Sequence, residues 1–334
     1  MRIDNFSRQG VLKRKMSHGE GPLVTAVVTT FDRPSMAKRA VQSVLAQTYR
    51  PIEIIVVEDG SESGIDRWLK GRSLTCIQYM RHENNKGLAA SRNTGLRSAQ
   101  GKYVAYLDDD DEWLPEKLAK QVELFETKGE IVGVVYCGAL RISPQKPMGR
   151  EKRPRLRGDI RKAIREKGLS TIPSSCLFRR EALGRVGGYD ENLLSHVDFD
   201  IWLQLAGQKY AAEYVDECLV KVHQHESYKM TKDVESRVQA TQLFCNKWQS
   251  ELQTWFGRRG GQRFCFQFKA QVMGMLGWTC FHKGDRMQSA KYFLLGLRYN
   301  PAKRENYVGL ITIGRRFCDG LVQIGKRSKR SKDV

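Results

Sequence analysis

No stretch of the 334 residues approaches the ~20 consecutive apolar residues of a membrane-spanning helix, and the polar N-terminus lacks the apolar core of a secretory signal. The expected location is therefore the cytoplasm. Paired cysteines are missing as well. The eight cysteines, at 76, 137, 176, 218, 245, 265, 280 and 318, include no CxxC pair and no metal-ligand spacing. That excludes a disulfide framework or a structural zinc site and points to reduced thiols among apolar neighbours. Acidic residues are in short supply, 37 against 57 Lys and Arg, for a net charge of +20. The excess is clustered: residues 141–180 hold thirteen Lys or Arg and three acids, and 301–334 hold nine and three. Basic patches of this kind attract nucleic acid, anionic membranes or phosphorylated substrates, and charge by itself does not choose among them. Helix-turn-helix, zinc and aromatic recognition signatures are absent, so a nucleic-acid-binding role rests on charge alone. At 40% hydrophobic residues the chain buries a substantial core, in one large or two ordinary domains.

What is present centres on residues 84–113, NNKGLAASRNTGLRSAQGKYVAYLDDDDEW. Leu88, Ala89, Ala90, Leu96 and Ala99 recur at helical spacing, and Gly101 is expected to end that helix. A β-favouring run, 103–107, follows at once, with four aspartates at its exit. Like charges so close repel one another, and a cation relieves the repulsion. Asp108 and Asp110 are one residue apart, so both carboxylates can face one hard divalent ion, which commonly takes one or two carboxylates and completes its shell with substrate phosphates. A nucleoside diphosphate is the natural second ligand. The alternative is a solvated acidic turn before a helix that begins near Pro115.

Upstream, residues 23–30 and 52–57 are apolar runs without alternation, as in strands buried on both faces, and 34–47 between them has helical spacing. This is a βαβ unit, which implies a parallel sheet. Ligands of such sheets bind beyond the carboxyl ends of the strands, where Thr30, Asp59 and Asp108 all fall. Further on, a helix is expected over 116–127, a strand over 131–137, a polar basic loop over 141–169, a strand over 174–178 and a helix opening at Asp198.

Seven blocks of this sequence resemble the successive motifs of the family 2 glycosyltransferases of the GT-A fold. They are TAVVTTFDRP (25–34), SVLAQTY (43–49), IEIIVVEDGS (52–61), NNKGLAASRNTGL (84–96), GKYVAYLDDDDEW (101–113), GGYDENL (187–193) and DFDIWLQLA (198–206). The resemblance covers about two thirds of the chain. It implies an α/β fold with a Rossmann-like mixed sheet and flanking helices, and helical periodicity beyond it adds a C-terminal helical region. The domains expected are a mobile basic arm at 1–21, a transferase domain at 22–232 with its donor half at 22–113 and acceptor half at 114–232, and a helical region at 233–334.

The resemblance also implies roles. Thr30 and Asp59 would line the nucleotide pocket, Asp59 accepting a hydrogen bond from the base, and Arg92 would lie near base and diphosphate. Asp108 would stand near ribose and metal, and Asp110 would be the principal ligand of Mn²⁺ or Mg²⁺. Asp198 would be the general base of an inverting transfer. One of His223 and His225 would reach the metal, His225 being preferred, and an imidazole ligand favours Mn²⁺. Asp32 and Glu58 stand where the family often has Asn and Asp. The implied donor is a nucleotide-diphosphate sugar, a UDP-sugar first. The implied acceptor is a saccharide or lipid-linked, in bacterial surface polysaccharide or lipopolysaccharide synthesis.

Beyond 233 the resemblance fades. Residues 234–256, 264–283 and 285–299 have helical length and periodicity. A last helix over 307–324 sets apolar residues among arginines ahead of a Lys/Arg tail, the pattern of a peripheral helix on the anionic inner face of a cell membrane. A non-catalytic nucleic-acid or membrane-surface binding protein is the alternative reading of the basic patches.

Overall fold

Seen in the computed structural model, which describes residues 2–4, 21–71, 76–144, 146–167, 172–223 and 234–314, the buried apolar runs form the parallel centre of a mixed sheet. In chain order come β1 (Arg2–Asp4), β2 (Val24–Thr30), α1 (Pro34–Leu45), β3 (Ile52–Glu58), α2 (Ile65–Lys70), β4 (Ile77–Arg81), α3 (Leu88–Ser98), β5 (Tyr103–Asp108) and the short β6 (Asp111–Trp113). β2 lies parallel between β3 and β5, and β4 extends the sheet beside β3. Helices cover both faces of β2, so every residue of that strand is buried and none needs to be polar for solvent. Ala37, Ala40, Val41 and Val44 of α1 cluster with Val24, Ala26 and Val28. On the other face α3 comes so close that a Cβ on Gly95 would meet a Val27 methyl at 2.3 Å.

The next stretch continues with α4 (Lys117–Lys128), β7 (Val132–Ser143), β8 (Lys146–Lys152), β9 (Gly158–Asp159), α5 (Ile160–Lys167), β10 (Cys176–Arg179), α6 (Arg180–Arg185), α7 (Val197–Gly207) and β11 (Ala211–His223). Across the sheet the order is β1-β4-β3-β2-β5-β10-β7-β11-β6, with β8 beside β7 and β9 beside β11. β10 runs antiparallel to both β5 and β7 and joins the two halves. The fold is thus the expected α/β arrangement with flanking helices, and a helical region follows it.

Several local expectations are corrected. Residues 2–4, part of the expected arm, pair with β4, Ile3 opposite Met80. The helix over 88–98 ends because Ala99 turns extended, not at Gly101, whose role is close packing: its amide donates to Thr25 Oγ1 at 2.9 Å. The expected loop at 141–169 contains β8, β9 and α5, since β7 runs twelve residues and exchanges β10 for β8 as its partner partway along.

By contact the chain divides into two compact units, Met1–Lys229 and Met230–Val334. In the second, a run of helix from Val234 to His282, here α8, breaks at Gly257, whose φ of 76° no helix contains. α9 (Arg286–Tyr299) is capped by Asp285, which accepts from the Gln288 amide at 2.9 Å, and residues 304–314 are helical. Phe244 stacks near Phe268 and Trp278 meets Phe293 edge-on, giving this unit its own aromatic core. The cysteines of the described residues are all free thiols, and no helix there is long and apolar enough to cross a membrane.

One of the charges buried in the first unit has no carboxylate beside it in the hydrogen bonds and ion pairs seen there. Lys117, fully buried at the start of α4, donates to Gln121 Oε1 at 2.8 Å and sits 4.1 Å from the Trp113 ring centroid. Burial pulls its ammonium down to about 8. The unfolded chain therefore holds this proton more tightly, and stability rises with pH from about 8 to the ordinary lysine range. Lys117→Met keeps the aliphatic packing. It is expected to raise unfolding free energy at neutral pH by on the order of 1–3 kcal/mol and to flatten that rise, as urea titrations at several pH values would measure.

Candidate functional site

Three strands end at one edge of the sheet. Register places Thr30 opposite Glu58, the residue before Asp59, and Thr29 opposite Asp108, so the termini of β2, β3 and β5 meet. The four aspartates after β5 then divide by direction. Asp109 is buried: it accepts from the Thr30 hydroxyl at 2.7 Å and from Arg33 Nε at 3.1 Å. Burial raises its carboxyl to about 6 despite the opposing pull of Arg33. Asp111 also turns inward, accepting from the Ser174 hydroxyl at 2.5 Å, and burial followed by the charge of Asp108 pushes its carboxyl well up. Asp108 and Asp110 keep 28% and 26% of their side-chain surface open. Alternation along the chain has sorted two carboxylates inward and two outward.

Arg92 lies at the centre. Its guanidinium is 0% exposed, ringed by Tyr106 and Tyr189 at 5.8 and 5.1 Å from their centroids. One arm donates to Asp108 at 2.9 Å and the other to Asp198. Burial alone would lower its proton affinity, and the charges of Asp198 and Asp108 more than reverse this. Asp108 in turn is raised by desolvation, with Arg92 opposing. Asp198 sits in the first turn of α7, with 29% of its side chain open, beside Asp200, which is buried and accepts from Gln204 at 2.6 Å.

The residue next to Arg92 ties the loop that brings α7 into place. Asn93 donates to the Tyr189 carbonyl and accepts from the Tyr189 amide, both at 2.8 Å, where Gly188 at φ 78° crosses so near that any side chain would strike Asn93. Thus one turn of α3 carries an arginine that pairs two distant acids and an asparagine that fixes the backbone between them.

Asp59 lies at the start of α3. It accepts from the amides of Lys86 and Gly87 at 2.9 and 2.8 Å, and its Oδ1 is 2.7 Å from His82 Nδ1. His82 Nε2 continues to the Thr94 hydroxyl at 2.9 Å. Both carboxylate oxygens are engaged: Oδ1 faces two partners, and Oδ2, with one, keeps a lone pair for an outside donor. Glu58 is buried and accepts from Ser61, the Ser63 amide and Tyr79, while Asp32 adopts φ 50° and donates its amide to Ser61. Thr30 spends its hydroxyl on Asp109.

Asp110 faces Arg33 Nη1 at 3.3 Å, and its carbonyl accepts from Arg39 at 3.0 Å. His223, the last residue of β11, lies 2.5 Å from Glu112 Oε1. His225 falls outside the described residues. No group of three His, Cys, Asp or Glu among the described residues is arranged to hold a metal ion. Among the described residues the outward pair Asp108 and Asp110 remains, a donor set that fits a hard divalent ion whose shell substrate oxygens complete. Arg33, His82, Asn93 and Ser174 were not singled out from sequence. Arg33 carried a signal, a lone cation between the end of β2 and the proline that starts α1.

Residues 25–187 match the family model "Glycosyl transferase family 2". The first unit belongs to that family. An uncharacterized glycosyltransferase of Rickettsia prowazekii (strain Madrid E) is 28% identical over 215 residues, spanning 61% of this chain and 64% of its own length. One of Methanocaldococcus jannaschii is 28% identical over 208 residues, 60% of this chain and 70% of its own. The structure of S. aureus TarS 1-349 in complex with UDP-GlcNAc aligns over 89% of this chain and 92% of that one, with TM-score 0.60 and 15% identity. The mannosyltransferase PcManGT from Pyrobaculum calidifontis, in complex with GDP-Man and Mn²⁺, aligns with TM-score 0.54 at 17% identity over 87% and 91%. These likenesses establish the GT-A fold.

Removing the central cation leaves two carboxylates facing each other without a partner. Arg92→Met is therefore expected to cost on the order of 3–5 kcal/mol of unfolding free energy. Asp198→Asn placed on top should recover part of it, and a double-mutant cycle in urea measures the coupling.

Proposed function

We propose that this family 2 protein transfers a sugar, with inversion, from a nucleotide-diphosphate donor, a UDP-sugar first, to a saccharide or lipid-linked acceptor. The observation that carries the proposal is Arg92, whose two arms hold Asp108 and Asp198. Two carboxylates on one guanidinium lie within about 8 Å of each other, near enough for one to serve the donor while the other serves the acceptor.

On this reading Asp198 takes the proton of the attacking acceptor hydroxyl as its oxygen bonds to the anomeric carbon. The bond from that carbon to the diphosphate oxygen breaks, and its electron pair leaves with the diphosphate. Asp110, with Asp108 beside it and His225 as a further ligand, would hold Mn²⁺ or Mg²⁺, which supplies Lewis-acid neutralisation of the leaving charge when bound. Thr30, Asp59 and Arg92 border the nucleotide pocket. Arg92 reaches it through Asp108, and Asp59 through the remaining lone pair of Oδ2. Arg33 adds fixed positive charge beside Asp110.

Support for a nucleotide sugar and for Mn²⁺ comes from the ligands named with TarS and PcManGT. The family match does not favour a non-catalytic nucleic-acid or membrane-surface binder. Synthesis of a bacterial surface polysaccharide or lipopolysaccharide, at the cytoplasmic face of the membrane, is the proposed setting. Tyr307, Val308 and Ile311 are exposed on the helix over 304–314, just ahead of the basic tail sequence, as peripheral attachment would require.

Two measurements test the assignment. Asp198→Asn should cut turnover by at least about 10²-fold while nucleotide affinity stays within about twofold, and unimpaired turnover would sink the base role. Asp110→Ala should abolish the metal-dependent rise in melting temperature that a nucleoside diphosphate gives the native chain. A rise that persists in the variant removes Asp110 from the metal site.

A further inference from the structure

The hairpin of β7 and β8 carries charge that the fold does not neutralise. Arg141 and Arg150 stand directly opposite each other, Lys146 is opposite Ser143, and Lys152 is opposite Ala139. These positions share one face of the hairpin. Gly149, at φ 81°, absorbs the irregularity between the two paired segments. Like charges directly across a strand pair are destabilising. Nearby cations on the same stretch are compensated: Arg153 by Glu151 at 2.9 Å, Arg157 by Glu213 at 2.9 Å and Arg161 by Asp159 at 3.2 Å. Arg141, Lys146, Arg150 and Lys152 have no carboxylate partner among the described residues. Lys152 is half-buried, and burial followed by the charge of Arg141 draws its ammonium down to about 8. A fold that keeps four cations together without anions of its own is arranged for anions from outside.

Register says where that face lies. Arg150 pairs with Arg141, Arg141 with Val222, and Val222 with Asp111, so the two arginines share a transverse row with the aspartate cluster. At ~4.8 Å per strand, Arg141 is about 10 Å and Arg150 about 14 Å from that cluster along the sheet. This is the carboxyl edge, on the side of the sheet beyond β10.

We infer that the face formed by Arg141, Lys146, Arg150 and Lys152 binds the acceptor, and that the acceptor is a polyanionic glycan bearing phosphate or carboxylate groups along its chain. The inference rests on the transferase reading and supplies its acceptor class. An anionic membrane is the less fitting occupant, because lipid surfaces also take up apolar side chains and Met148 is the one large exposed apolar residue of this hairpin.

The test uses the full chain and Arg141→Gln/Lys146→Gln/Arg150→Gln, with Arg258→Gln/Arg259→Gln/Arg263→Gln of the second unit as a charge-matched control. Fluorescein-labelled inorganic polyphosphate and polygalacturonate are the probes, titrated by anisotropy, with neutral dextran as reference. The hairpin variant should lose at least about tenfold in affinity for both polymers and show a shallower salt dependence, and the control should stay within about twofold of native. Equal loss in both variants, or no loss in the hairpin variant, overturns the proposal. It is also overturned if the variant binds polymers normally but releases vesicles of equal parts phosphatidylcholine and phosphatidylglycerol, which would make the hairpin a membrane contact. A nucleoside diphosphate thermal shift runs in parallel. Its absence from the native chain counts against the transferase reading, whereas its retention in the hairpin variant shows that any lost polymer binding belongs to the hairpin alone.

Discussion

The guanidinium of Arg92, wholly buried, is the constraint on which the rest of the first unit depends. Arg92 is out of reach of water, so its charge must be balanced inside, and the two carboxylates that balance it come from well-separated stretches of the sequence, the end of β5 and the start of α7. Burying a charge is tolerable only when partners are close and well placed. That requirement fixes β5, α3 and α7 relative to one another more tightly than apolar packing would, since hydrophobic contact is non-directional and a two-armed charged hydrogen bond is not. Asn93 performs the same service for the backbone, one residue further along the helix.

The aspartate cluster is likewise a structural and a chemical object at once. Its inward members hold the turn, Asp109 through Thr30 and Arg33 and Asp111 through Ser174. Its outward members stay partly exposed, each beside an arginine. Four acids in a row are therefore two interleaved pairs with different duties, and the repulsion among them is distributed over neighbours on β2, α1 and the turn before β10.

Much of this was legible in the sequence because the signal was local. Unalternating apolar runs announced β2, β3 and β5, and helical periodicity over 234–256 and 264–283 left a gap where the helix breaks at Gly257. The hairpin at 146–152 was not legible, because Lys, Arg, Pro and Gly dominate it and its strand character comes from pairing with an overlong β7. Propensity cannot see a partner thirteen residues away. Arg92 was read as a site residue, yet its burial was invisible, since an arginine among small residues on a helix looks the same whether its face meets solvent or two carboxylates. Asp59 was read as a group facing a ligand, while its amide and histidine partners depend on α3 folding back against β3, which spacing does not encode.

That last contact changes how the domain must handle anions. In Rossmann folds with a glycine-rich first turn, the start of a helix offers bare amides and a positive dipole end to a phosphate. Here the protein's own Asp59 carboxylate occupies the amides of Lys86 and Gly87 at the start of α3. A second anion at that spot would meet a negative charge already in possession. At the start of α3, then, the protein has already filled with its own carboxylate the place where a phosphate would otherwise find amides.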